Sequence, residues 1–506
     1  VIYEQAGRLH LFDPKAKKAR VLKVGVASEL LGTRPRYVTG SKYIRNGHIS
    51  PSGSRAVFEV RGEIVTVPAA KGDPRNLTQT PGAHERSPVW SPDGKKIAYF
   101  SDESGEYELV IRRVGKSEAV KKYKLSGSGF YLNPRWSPDS TRICYGDNSL
   151  SYYWIDLDSG ISKKFGQQPI YGPGPVRTNE CGWSPDSKWI AYTLNSTTYV
   201  RTLHLYSLEK NRSYPITDGL SDVTEPAFDS SGKYLYFAAS TDAGPVRQWF
   251  AMSNADMQAS RHLYVAVLQK DLPSPLAKES DEEKLAEDIE TPEEPTEKEA
   301  AGKSESAKEP PAKEQEKKKQ TIDIEGLDQR ILALDLPPRN YISLQPGADG
   351  ELFFIDLPLD ARIPLGDLKR YSLKKRTAEP VLENVAGYSL SADHKKLLYQ
   401  AGAKFGIIGS AVPATPGKGA LNTDAIDIRI DPRAEWAQIF NEAWRINRDY
   451  FYATNYHGAD WPKMRDKYAR FLPHLATRSD LNRLIQWLCS ELAVGHHSVR
   501  GGDQLH

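Results

Sequence analysis

A chain of 506 residues is too long for one ordinary hydrophobic core, so about three domains are expected. Its 68 Lys+Arg against 65 Asp+Glu leave a net +3, which calls for no nucleic-acid or acidic-membrane partner, and no run of about 18 apolar residues offers a transmembrane helix. Three cysteines (Cys144, Cys181, Cys489) are too few for a disulfide scaffold and lack metal-ligand spacing, whereas 26 Tyr and 10 Trp beside 38 Gly and 34 Pro point to strands and turns.

The chain opens on Val1-Ile2-Tyr3-Glu4, which reads as a strand already under way and suggests a piece of something longer. Residues 1–22 match the second to fourth strands of a four-stranded unit whose first strand would precede residue 1. An internal repeat then dominates. Ser87-Pro-Val-Trp-Ser-Pro-Asp-Gly-Lys-Lys-Ile-Ala-Tyr99 returns as Asn133-Pro-Arg-Trp-Ser-Pro-Asp-Ser-Thr-Arg-Ile-Cys-Tyr145 and as Glu180-Cys-Gly-Trp-Ser-Pro-Asp-Ser-Lys-Trp-Ile-Ala-Tyr192. Weaker copies are Ser50-Pro-Ser-Gly53, Asp229-Ser-Ser-Gly232, Gln345-Pro-Gly-Ala348 and Ser391-Ala-Asp-His394. Successive copies are spaced by 41, 46, 47, 45, 116 and 46 residues, mostly the period of a propeller blade. In each unit a strand ends at an aromatic, Pro fixes φ, and Asp with Gly or Ser closes a turn into a short apolar strand. One blade cannot bury both faces, so seven copies predict a ring of seven.

The long step is read as an insertion. From Ser274 to Gln320 the chain is almost wholly Glu, Lys, Ala, Pro and Ser, too polar to offset its ordering entropy, and a disordered loop is expected over 274–320. At Asp431 the texture changes. Asp431 is a good N-cap and Pro432 suits the first helical position, and Trp436, Ile439, Phe440, Ala443 and Trp444 follow a helical stripe. A second helix is expected near Asp460-Trp461-Pro462, and a third from about Ser479 through Leu481, Leu484, Ile485, Leu488 and Leu492. A Gly-rich loop and a strand are expected after Leu492. The fold class is therefore mainly β: a seven-bladed β-propeller over 35–426, after a short connector over 1–34, followed by a small α-helical (α+β) domain over 427–506.

No Gly-x-Ser-x-Gly elbow, His-Glu-x-x-His pair, Walker A loop or dinucleotide glycine fingerprint occurs. No metal or cofactor is expected. Most histidines (His10, His48, His84, His204, His262) fall in strand or turn contexts and read as packing or surface residues. His496 and His497 lie in a Gly-flanked loop after a helix, where an imidazole could take the proton of a serine hydroxyl or simply face solvent.

Several motifs resemble the tricorn protease family, serine endopeptidases related to carboxyl-terminal-processing proteases. They are Asp431-Pro-Arg-Ala-Glu-Trp436, Phe440-Asn-Glu-Ala-Trp444, Asp449-Tyr-Phe-Tyr452, His457-Gly-Ala-Asp-Trp-Pro462 and Ala476-Thr-Arg-Ser-Asp-Leu-Asn482. Tyr3 to Phe12, Arg61 to Val67 and Ser101 to Leu109 carry the same likeness upstream. The resemblance implies that residues 1–34 end a preceding propeller, that the seven-bladed ring gates substrate, and that 427–506 begin the catalytic part, ahead of a PDZ domain and a second catalytic part. The family's histidine loop, Leu-x-x-Ser-His-x-Tyr-Val-x-Gly-Gly-Asp, falls on Leu492 to Asp503 and places the general base on His496. Gly495 stands where the family has serine, Ser498 where it has an aromatic residue, and His497 at a variable position. The nucleophilic serine is expected beyond residue 506, so this chain alone is expected to be inert. The resemblance further implies unfolded-peptide substrates, a hexameric assembly and a cytoplasmic setting, with the periplasm as alternative. The competing readings are a TolB-like propeller that binds proteins and a pseudo-peptidase.

Overall fold

The computed structural model describes residues 1–5, 7–25, 27–115, 119–169, 181–197, 200–241, 260–278, 321–359 and 365–503. It divides into two compact units, one of residues 38–428 and one formed by 1–37 together with 429–506.

Within the first unit, seven consecutive antiparallel sheets occupy residues 44–76, 85–123, 131–167, 181–215, 222–333, 340–385 and 387–409, taken here as blades 1 to 7. Blades 1 to 6 have four strands in sequential order and blade 7 has three. The innermost strands of all seven line one central cavity, as a ring of blades requires. Apolar clusters fill the joints between neighbours, such as Phe100, Tyr131 and Tyr145 between blades 2 and 3. Among the described residues no strand is shared between blades 7 and 1. They meet through an edge-on Phe58–Phe405 pair at 4.9 Å and a hydrogen bond from Asp393 N to Pro51 O at 3.4 Å. The chain enters and leaves this unit at one place, where Gly40 N donates to Ile426 O at 2.7 Å.

The repeat is a side-chain device. In blade 2, Ser91 Oγ donates to Asp93 Oδ1 at 2.6 Å and accepts from Lys96 N at 2.9 Å, so one buried hydroxyl closes the turn between two strands. Ser137 with Asp139 and Arg142, Ser184 with Asp186 and Trp189, and Ser391 with Asp393 and Lys396 repeat the arrangement. The fourth turn residue is left-handed, with φ of 73° at Gly94, 60° at Ser140, 61° at Ser187 and 56° at His394. In blade 6 the corresponding turn starts at Gly347, whose N–H donates to Glu351 O at 2.9 Å, two residues after the Gln345 chosen from sequence. It closes over four residues, whereas Ser91 closes over five onto Lys96, and Gly replaces the signalling serine.

The long spacing belongs to one blade. Blade 5 places its third strand at His262–Val267 and its fourth at Ile331–Ala333. Of the stretch 274–320 expected to be disordered, residues 279–320 lie outside the described residues. The first five do not fit that expectation: Ala277 N donates to Ser274 O at 3.1 Å, and Leu276 packs against the core between blades 5 and 6 because it is apolar.

Glu85 opens the inner strand of blade 2 with only 1% exposure. Its Oε1 accepts from Thr80 Oγ1 at 2.8 Å and Ser101 Oγ at 3.2 Å, and Oε2 has no partner among the described residues. Burial pushes this carboxyl up from 4.5 to about 8, and Glu63 nearby adds to the rise. The fold therefore favours the neutral acid. Its stabilising contribution is full below the unfolded value near 4.5 and is lost as pH rises to about 8. Glu85→Gln keeps the neutral shape at every pH, so its unfolding midpoint should match the parent at pH 4 and exceed it increasingly toward pH 9. Thermal melts of both proteins across that range check this, and a gap that does not depend on pH would contradict it.

The second unit holds a three-stranded antiparallel sheet (Ile2–Gln5, Arg8–Asp13, Lys18–Val21) and three helices: α1, Pro432–Tyr450; α2, Trp461–Ala469; and α3, Arg478–Ser490. Asp431 caps α1 by accepting from Arg433 N and Ala434 N, and Asp460 caps α2 through Lys463 N. α3 begins one residue before the expected Ser479, because Thr477 and Asp480 form a reciprocal capping box. The helix ends at Ser490, so Leu492 is buried from a turn instead of from the helix, and residues 491–503 contain no strand. The apolar stripe of α1 meets Leu481, Leu484, Ile485 and Leu488 of α3 in one core. At its centre Trp444 Nε1 donates to Trp461 O at 3.0 Å, and Trp461 Nε1 donates to Trp444 O at 3.1 Å.

Candidate functional site

His496 is carried at the exposed apex of the loop that follows α3. The loop is fastened on both sides of it. Leu492 is fully buried, and Val494 and Val499 pack against the helical core. Beyond the apex Asn482 Nδ2, on α3, donates to Gly501 O at 2.9 Å. Between these anchors the backbone turns sharply, with φ of 52° at Ala493 and 64° at His496. A left-handed residue other than Gly or Asn costs about 1 kcal/mol or more, which the flanking anchors must offset. Among the described residues nothing hydrogen-bonds the His496 ring, so both nitrogens are open to a reacting group.

A second histidine sets the start of the loop. His457 hydrogen-bonds Leu492 O through Nδ1 at 2.9 Å and pairs with Tyr452 Oη through Nε2 at 2.7 Å. A carbonyl only accepts, so Nδ1 carries the hydrogen and Nε2 accepts a hydrogen bond from the Tyr452 hydroxyl. His457 is itself left-handed (φ 55°), ahead of Gly458. Its role is not legible in the sequence, since its partner lies 35 residues away. Glu491 adds a further tie, accepting from Lys467 Nζ and Tyr468 Oη at 2.6 Å each; Lys467 and then Tyr468 hold its carboxyl below the usual range.

The remaining histidines singled out from sequence have structural surroundings. His48 Nδ1 accepts from Trp90 N at 3.3 Å, and burial lowers its pKa to about 4. His204 pairs with Thr202 Oγ1 at 2.9 Å and is likewise lowered to about 4 by burial. His84 meets Tyr107 Oη at 3.0 Å, and His10 stacks on Tyr3. No group of three or more His, Cys, Asp or Glu side chains among the described residues could hold a metal, and no described helix is long and apolar enough to cross a membrane.

The propeller has its own concave site. The central cavity measures about 520 Å³ and is lined by residues such as Asn46, Ser87, Asn133 and Gln345, with Arg135, Tyr388 and the neutral His48 as its titratable lining groups. Asn46, Ser87 and Asn133 are left-handed residues at bulges in the inner strands, a position that turns polar groups toward the lumen. The cavity offers hydrogen bonds and apolar surface with little charge.

Comparisons with known proteins follow the same division. Residues 44–410 match the family model of the tricorn protease second beta propeller domain, and residues 432–489 that of the tricorn protease C1 domain. The chain is 21% identical to the tricorn protease homolog of Saccharolobus solfataricus, covering 98% of this chain and 43% of that protein. It is 24% identical to tricorn protease homolog 1 of Streptomyces coelicolor, covering 99% and 47%. Among solved structures, the crystal structure of the tricorn protease superposes with a TM-score of 0.75 at 16% identity, over 98% of this chain and 45% of that one, a likeness of fold. The chain thus spans about half the length of the curated relatives it matches.

Proposed function

The chain belongs to the tricorn protease family, and from that premise we propose that it supplies the peptide-admitting propeller and the general base of a serine endopeptidase acting on unfolded peptides. The observation that carries this reading is the His496 loop: a family motif whose histidine stands exposed, without a hydrogen-bond partner among the described residues, in a loop held from both sides. His496 would take the proton of a serine hydroxyl as its oxygen attacks a peptide carbonyl, then return it to the leaving amine while the acyl-enzyme forms. No described serine hydroxyl meets the imidazole, so the nucleophile would come from elsewhere in the assembled protease. The largely uncharged cavity of the propeller, with Arg135 as a lining cation, supports a role in admitting extended chains. Residues 1–34 would belong to a preceding propeller, and the assembly would be a cytoplasmic homo-oligomer, a hexamer on the family pattern. The 506 residues alone are expected to release no product from a casein-derived peptide mixture; steady turnover by the purified chain would overturn the assignment of the nucleophile.

Gly495 bears on the rival reading of a pseudo-peptidase. A Cβ placed on Gly495 meets nothing within 4 Å, so the serine of the family pattern fits without displacement. Gly495→Ser in the complete protease should leave the melting temperature unchanged and raise turnover several-fold. Wild-type turnover no greater than that of a His496 variant would instead favour the pseudo-peptidase.

A further inference from the structure

The blade repeat is broken twice at one joint. Cys144 stands in the second strand of blade 3, where blades 2 and 4 carry Ala98 and Ala191. Cys181 opens the described inner strand of blade 4, where blades 2, 3 and 5 carry Pro88, Pro134 and Pro226. The two substitutions face each other across the boundary. The Sγ atoms approach to 2.8 Å within the cluster of Tyr152, Trp154, Phe165 and Trp183 that joins blades 3 and 4. Non-bonded heavy atoms keep about 3.5–4.0 Å apart, so this is closer than packing alone would bring them. Both thiols are free and buried.

We propose that Cys144 and Cys181 form an inter-blade disulfide site, open as a dithiol in a reducing compartment and closed by thiol–disulfide exchange in an oxidising one. The two thiols have distinct roles in that exchange. Its first proton leaves Cys181, whose thiolate accepts the Cys144 S–H, and burial holds the second proton on Cys144. With a small disulfide such as oxidised glutathione, the Cys181 thiolate attacks one sulfur, the glutathione S–S bond breaks and one glutathione thiolate leaves. Cys144, giving its proton to water, then attacks the Cys181 sulfur and expels the second glutathione. Two protein thiols lose two electrons and one glutathione disulfide gains them. Local opening of the joint admits the reagent.

The bond would close a loop across 37 residues and tie two blades that otherwise touch through side chains, so the oxidised ring should melt several degrees higher. The test exposes the folded 506-residue chain to oxidised glutathione, then unfolds it and alkylates the remaining thiols. Before treatment all three cysteines should be alkylated. Afterwards only Cys489 should react, the unlabelled mass should be lower by two hydrogens, and a cross-linked peptide should join Cys144 to Cys181. Cys144→Ala, which restores the residue of the neighbouring blades, should abolish the cross-link and the rise in melting temperature. Three alkylated cysteines after treatment, or a bond that includes Cys489, would overturn the proposal. The same exchange carried out during refolding from urea removes burial as a barrier, and three alkylated cysteines there would be equally decisive.

Discussion

Replacing His496 by asparagine in the complete protease is expected to lower kcat by about 10²–10⁴-fold while KM stays close to the parent value. Asparagine is the informative substitution because the residue sits at φ 64°. Asn tolerates that conformation better than alanine does, so the loop keeps its shape while the base is lost. His496→Ala should show the same loss of kcat with a small added loss of stability, visible as a lower melting temperature. The exposure of the ring makes both variants benign to folding, since no described hydrogen bond and no core contact is removed. Peptide hydrolysis followed under saturating and limiting substrate separates kcat from KM. Turnover unchanged in both variants would remove His496 from the chemistry.

The second large effect concerns the core beneath that loop. Trp461→Ala should destabilise the helical unit by about 3–5 kcal/mol. Trp461 is 1% exposed, and its truncation removes a large buried ring from the cluster of Trp436, Phe440 and Trp444. The reciprocal pairing adds to the loss, because Trp461 Nε1 gives the Trp444 carbonyl a second donor beside its own helical one. Trp461→Phe separates the two contributions. It fills most of the space but withdraws the donor, for an expected cost of about 0.5–1.5 kcal/mol, the net worth of one hydrogen bond. Urea unfolding read by amide hydrogen exchange in α1 and α3 measures both, and an alanine variant within about 0.5 kcal/mol of the parent would refute the packing account.

How far the sequence could be read depended on whether a residue acts on its own neighbours. Ser91, Asp93 and Gly94 fold onto one another within a few positions, so the turn they make is written in consecutive letters. Asp431 caps its helix through the next residues and is equally plain, and the start of the helix that Asp460 caps is legible beside it. The blade 6 register slipped because Gly347 has no hydroxyl to announce the turn and the turn is one residue shorter. Thr477 was missed as a cap because its box closes with Asp480 in place of the commoner Glu or Gln. Leu492 continued the α3 stripe by spacing alone, although the helix had already ended at Ser490. His457 and the Cys144–Cys181 pair were opaque for a different reason. Their partners are 35 and 37 residues distant, and only the fold brings them together. His496 itself was visible through its family motif, whereas its open ring and anchored loop were not.

The point where the chain crosses into and out of the propeller, fixed by Gly40 and Ile426, bears on the order of assembly during synthesis. The unit that carries His496 is made of residues 1–37 and 429–506, so its first part leaves the ribosome long before its second. If the intervening residues 38–428 were still unfolded, bringing those parts together would mean closing a very long loop against chain entropy. A finished ring removes that cost by holding residues 40 and 426 side by side. A ring that folds first would therefore lower the entropic cost of joining the two separated parts of the second unit.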